Sequence, residues 1–240
     1  MPSVLAYHRP TNLDEAAEHL SNAHHWALAG GTAVVPHARK QRSMDVEMVD
    51  LQALGLGTLE IDGDQLTLGA MVRLGDLEGD DRIPHLVKKA ARRELPSALR
   101  NQATIGGTVA QADPESLLLA ALLVHEARVQ IHSQPETTLG EYLSGDRRGL
   151  VVGIVIDTSG RGSMASTGRT PADTPIVAAL ARSTNDGPRL ALTGVAATPI
   201  EANPTAPTND LDPPGDFRGS PAYRTHLAAV LSARALTEMD

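Results

Sequence analysis

Apolar positions recur along the chain in short runs, and their spacing changes from helical to alternating several times. Leu13, Ala16, Ala17 and Leu20 fall on one helical face, with Thr11 placed to cap that helix and Asp14 in the position of a capping-box acid. Trp26 to Gly30 reads as a buried strand ending in glycines, followed by a short helix, and Val46 to Leu51 as a second strand. Two alternating runs on either side of Asp62-Gly63 predict a hairpin. Leu86, Val87, Ala90 and Ala91 form the stripe of a helix over 84–95, whose other face carries Lys88, Lys89, Arg92 and Arg93 and reads as a solvated surface. Asp113-Pro114 has the form of a helix start. The run Leu117 to Val124 behind it is apolar all round and is expected to be deeply buried.

Strands are expected over 127–132 and 150–157. The small, polar stretch Thr158 to Gly168 suggests a boundary. Ala172 to Arg182 then reads as a helix started by Thr170-Pro171, and 189–197 as a strand. Ile200 to Gly219 reads as a loop. Ser220-Pro221 opens a last helix, Ala222 to Leu236, with Leu227, Val230, Leu231 and Leu236 as its apolar contacts. The mixture is α+β, in two unequal parts.

Composition narrows the chemistry. The chain has 240 residues, no cysteine and a formal net charge of -8. That excludes a disulfide framework, thiolate zinc, a cluster held by this chain and a thiol nucleophile. The acidic balance and only five aromatics (Trp26, Tyr7, Tyr142, Tyr223, Phe217) speak against a nucleic-acid partner. The longest apolar run is far shorter than the ~20 residues of a membrane span, and the N-terminus lacks the apolar core of a secretory signal. A soluble cytoplasmic protein is expected. The nine histidines show no short metal-ligand spacing and are expected in surface or capping roles, with no metal site. No G-x-S-x-G elbow, Walker loop or G-x-G-x-x-G is present, so no catalytic residue is assigned.

Two glycine turns remain. Ala29-Gly30-Gly31-Thr32-Ala33 follows a strand, and Thr104-Ile105-Gly106-Gly107-Thr108 precedes the apolar helix. Paired glycines allow close backbone approach and positive φ, and successive N–H groups at a helix start make a nest for phosphate. Either turn by itself also fits a tight bend with no ligand.

Taken in order, Ala29-Gly30-Gly31-Thr32, Pro36, Asp50-Leu51, Leu68-Gly69-Ala70, Leu99 to Gly107 and Ala112-Asp113-Pro114 resemble the FAD-binding (medium) subunit of the molybdopterin dehydrogenase family, of the xanthine dehydrogenase and carbon monoxide dehydrogenase type. Gly168 to Asp173, Leu190 to Pro199 and Tyr223 to Ala228 resemble that family's C-terminal domain, so the likeness runs over essentially the whole chain. The resemblance implies a two-subdomain FAD-binding fold (PCMH-type) over 1–157, divided near 55. A small α/β C-terminal domain of the CO dehydrogenase flavoprotein type would follow over 158–240.

It further implies FAD held by Leu28, Ala29, Gly30, Gly31, Thr32, Ala33 and Val34 in the first loop and by Thr104, Ile105, Gly106, Gly107 and Thr108 in the second. Asp113 would lie close behind, and Val151 would touch the flavin. The implied partners are a large molybdenum-cofactor subunit and a small iron–sulfur subunit. Electrons would pass through FAD to an external acceptor. Ala33, Thr108 and Leu117 stand where the family carries other polar or acidic groups, and 164–168 lacks an expected basic residue. These departures motivate an alternative expectation, an FAD-free scaffold subunit of the same kind of complex.

Overall fold

The computed structural model describes residues 4–40, 45–168 and 173–239. It opens with β1 (Val4–His8), α1 (Leu13–Leu20), β2 (His25–Leu28), α2 (Val34–Lys40) and β3 (Val46–Asp50). The three strands form a parallel sheet in the order β1-β3-β2. The pattern of residues 4–8 does not announce β1, because Val4, Leu5 and Tyr7 are all exposed. Pairing to the edge of β3 makes it a strand. The cap of α1 is Asn12, not Thr11: its side chain accepts from Glu15 N, while the Glu15 carboxylate accepts from Thr11 N. Asp14 instead accepts from His132 Nε2 at 2.7 Å.

The next stretch contains β4 (Leu59–Asp62), β5 (Gln65–Gly69), α3 (Leu74–Gly79), α4 (His85–Glu94), α5 (Ser97–Arg100), α6 (Ile105–Gln111) and α7 (Leu117–Val124). After these come β6 (Arg128–Ile131), β7 (Thr137–Thr138), α8 (Leu139–Ser144) and β8 (Val151–Asp157). Its strands make an antiparallel sheet in the order β4-β5-β8-β6-β7, with the expected hairpin joining β4 to β5. All eight residues of α7 are buried, as its unbroken apolar run predicts. Its cap is Ser116, whose hydroxyl accepts from Leu119 N; Asp113 makes a turn of its own by accepting from Glu115 N. The basic face of α4 divides among partners: Lys88 pairs with Asp81, Arg92 with Glu78, and Arg93 donates to Ser166 Oγ.

The last stretch holds β9 (Gly162–Ser166), β10 (Ala178–Thr184), β11 (Gly187–Thr193), β12 (Ile200–Ala202) and α9 (Pro221–Thr237), with an antiparallel sheet in the order β12-β11-β10-β9. Two expectations are corrected here. The 158–168 stretch contains a strand, and 178–184 is a strand although the pattern of 172–182 reads as a helix; the expected Thr170-Pro171 start lies outside the described residues. The reason is burial on both faces of β10. Val177, Ala179 and Ala181 pack towards α9, while Ala178 and Leu180 join the same core as α7. A strand covered on both sides loses its alternation and reads as a plain apolar run. Ser220 caps α9 as predicted, but Val230 faces outward and Ala228, Leu231 and Ala235 make the buried stripe.

Candidate functional site

A cleft of about 840 Å³ opens where the parallel sheet, the five-stranded sheet and the start of α7 meet. Twelve of the fourteen expected site residues line it; Leu28 and Ile105 do not. Ile105 is fully buried in the core beneath the second loop.

The first glycine loop packs against the segment that leads into the second. A Cβ added at Gly30 would lie 1.8 Å from the Gln102 carbonyl oxygen, so the chain packs backbone to backbone there. Gly106 is similarly pressed on Ala70, with an added Cβ 2.6 Å from the Ala70 Cβ. Gly31 differs: it takes φ +73, and an added Cβ would meet only the Leu28 and Val35 side chains at ordinary distances.

The amide groups separate the loops more sharply. The N–H groups of Gly30, Gly31, Thr32, Ala33 and Val34 make no hydrogen bond among the described residues; the first bonded amides beyond are Val35 N to Gly31 O and His37 N to Ala33 O. In the second loop every amide from Ile105 to Thr108 has a partner. Ile105 N donates to Val72 O, Gly106 N to Ala70 O, Gly107 N to Thr104 Oγ1 and Thr108 N to Thr104 O. The Thr108 hydroxyl donates back to Thr104 O at 3.2 Å. The first loop therefore presents donors to the cleft, and the second supplies a rigid wall.

Other lining groups escaped the sequence reading. Trp26 lines the cleft and tilts against His37, with ring centroids 5.2 Å apart. Lys40 and Arg93 bring positive charge to it. Glu94, at the end of α4, accepts from Leu118 N at 2.9 Å, so a neighbouring helix puts a carboxyl at the start of α7, beside Leu117. Burial pushes its pKa up to about 7, against the opposing hydrogen bonds from Ser116 and the α7 amides. The signal in sequence was present only as one charged residue closing an otherwise ordinary amphipathic helix.

Val151, at the start of β8, and the preceding Leu150 are buried and give the cleft an apolar floor. Asp113 and Glu115 lie on the rim, where Glu115 is clamped by Arg218. At the other end of β2, outside the cleft lining, His8, His19 and His25 come together, although their sequence spacing gave no such sign.

The family model described as the FAD binding domain in molybdopterin dehydrogenase matches residues 3–156. YgfM of Escherichia coli, an uncharacterized protein, is 30% identical over 95% of this chain and 93% of its own length. The carbon monoxide dehydrogenase medium chain of Afipia carboxidovorans is 25% identical over 98% of this chain and 96% of its own. Among solved structures, reconstituted CO dehydrogenase from Oligotropha carboxidovorans superposes with a TM-score of 0.90 at 22% identity, covering 100% of this chain and 98% of the other.

Proposed function

Because the chain belongs to the family of FAD-binding domains of molybdopterin dehydrogenases, an oxidoreductase family whose cofactor is FAD, we propose that it is the flavin-carrying subunit of a cytoplasmic molybdenum hydroxylase. It would stand between the iron–sulfur clusters of a small partner subunit and an external electron acceptor, with a large molybdenum-cofactor subunit acting on the substrate. Residues 1–157 would hold FAD, and 158–240 would form the C-terminal domain. The full-length likeness to a carbon monoxide dehydrogenase medium chain supports this placement. No helix among the described residues is long and apolar enough to cross a membrane.

The observation that carries the reading is the row of five amides from Gly30 to Val34, unpartnered among the described residues, at the edge of the cleft. Such a nest takes the negative charge of a diphosphate without any net positive charge on the protein. Gly31, Thr32 and Ala33 would bind the pyrophosphate. Gly106, Gly107 and Thr108 would close against it as a wall, and Lys40 and Arg93 would balance its charge. Leu150, Val151 and Trp26 would provide the apolar surface that keeps water from the ring system. Bound FAD supplies one- and two-electron redox chemistry; the protein's own work is to hold and orient it.

The saturated amides of 105–108 favour a second reading, the FAD-free scaffold, because they give the cofactor half the expected donors. Titrating the purified protein with FAD while recording its visible spectrum separates the two. Stoichiometric uptake is the expected result, and a protein that stays colourless favours the scaffold. Gly31→Asp is the matching variant. Aspartate tolerates a positive φ, so the fold is retained, while a carboxylate beside the diphosphate costs about 3 kcal/mol and weakens FAD roughly 100-fold or more.

A further inference from the structure

Away from the cleft, four elements bring three imidazoles and a carboxylate to one point. His8 ends β1, His19 lies in the last turn of α1, His25 begins β2, and Glu47 lies on β3 between the two strands. The rings of His8 and His19 stack with centroids 4.2 Å apart, and His25 lies 5.3 Å from the first and 5.6 Å from the second. One ligand atom from each histidine falls within 4.8 Å of the other two. Glu47 Oε2 is 2.5 Å from His8 Nε2 and 3.1 Å from His25 Nε2.

Hydrogen bonding explains only part of this arrangement. It accounts for His8 Nε2, bonded to Glu47, while His25 Nε2 lies 3.1 Å from the same carboxylate oxygen. It leaves the His19 ring with no hydrogen bond among the described residues and His25 Nδ1 buried with no partner. Three imidazoles packed ring to ring are a poor arrangement if any two are protonated, since the cations repel at this distance. A divalent cation resolves both problems, taking lone pairs from neutral rings and charge from the carboxylate.

We propose that His8, His19 and His25 form a binding site for a zinc-like divalent metal ion, with Glu47 holding two of the rings in place. Three imidazole nitrogens, with a water in the fourth position, are a donor set of four-coordinate zinc. The site ties β1, α1 and β2 together at the end of β2 away from the first glycine loop, and Glu47 joins it to β3. No short motif betrays it because the ligands come from three separate elements. The proposal is independent of flavin binding.

The test uses tag-free, full-length, flavin-free protein stripped with a chelator. One equivalent of Co²⁺ is expected to produce the intense visible bands of four-coordinate cobalt, and Zn²⁺ to bleach them. Zn²⁺, but not Mg²⁺, is expected to raise the melting temperature. His19→Ala should abolish the bands while leaving the far-UV spectrum intact, because that ring holds no hydrogen bond. Glu47→Gln should weaken binding tenfold or more. Absence of bands, weak six-coordinate bands, or full binding retained in His8→Ala and His19→Ala would each overturn the proposal.

Discussion

Glu94, half-buried at the cleft, and the buried His125 are both ionisable, and desolvation drives them in opposite directions. Glu94 is raised to about 7, and His125, whose Nδ1 is bonded to Asp157 O, is lowered to about 4. From the ordinary glutamate value of 4.5 up to about 7, the folded protein holds the Glu94 proton and the unfolded chain does not. Stability from this group is therefore full in acid and is lost as pH rises through that window. For His125 the unfolded chain binds the extra proton between about 4 and 6.5, so its contribution is present above 6.5 and is lost as pH falls. The two slopes oppose each other over most of the same range. Glu94→Gln keeps an acceptor for Leu118 N but removes one slope. Urea midpoints measured at about pH 5 and about pH 8 should show the variant more stable than wild type in alkali and more acid-sensitive below neutrality. At Gly30 the constraint is steric: Gly30→Ala is expected to cost about 3 kcal/mol in urea unfolding, since its Cβ would collide with the Gln102 carbonyl.

Among the elements, α7 shows how a start signal misleads. Asp113-Pro114 looks like a cap, yet Ser116 bonds the first turn and Asp113 serves the turn before it. Ser116→Ala should therefore lower stability by about 1 kcal/mol and Asp113→Ala by clearly less, as thermal unfolding would show. The glycine loops, the hairpin, α4 and α7 were legible because turn chemistry and periodicity are local. β10 was not, because two covered faces erase the alternation that marks a strand. β1 was not, because it is an exposed edge strand. Glu94 and the histidine cluster were invisible for another reason: each acts on residues far away in sequence, and no spacing rule encodes a meeting of α4 with α7 or of three strands with one helix.

For the molecule as a whole, α7 is the shared element. Met164, Ala178, Leu180 and Ala191 belong to the same core as residues 117–124, and the fully buried Arg182 spans the junction. Its guanidinium bonds Val124 O at 2.9 Å and Ser159 O at 2.8 Å and pairs with Asp157 at 2.8 Å. The strands β9 to β11 are thus anchored through the core around α7. Calorimetry is expected to show one transition for the chain, and residues 158–240 expressed alone should fail to fold, since β10 would expose its α7-facing side. The contact of Gly30 with Gln102 has a consequence for descent. Selection against collision preserves Gly30 and Gly106 in any descendant that keeps this fold, whether or not it still carries a flavin. Those two positions are a record of packing. Loss of the cofactor in a lineage would be written first at Thr32 and Ala33, which neither a collision nor a positive φ holds.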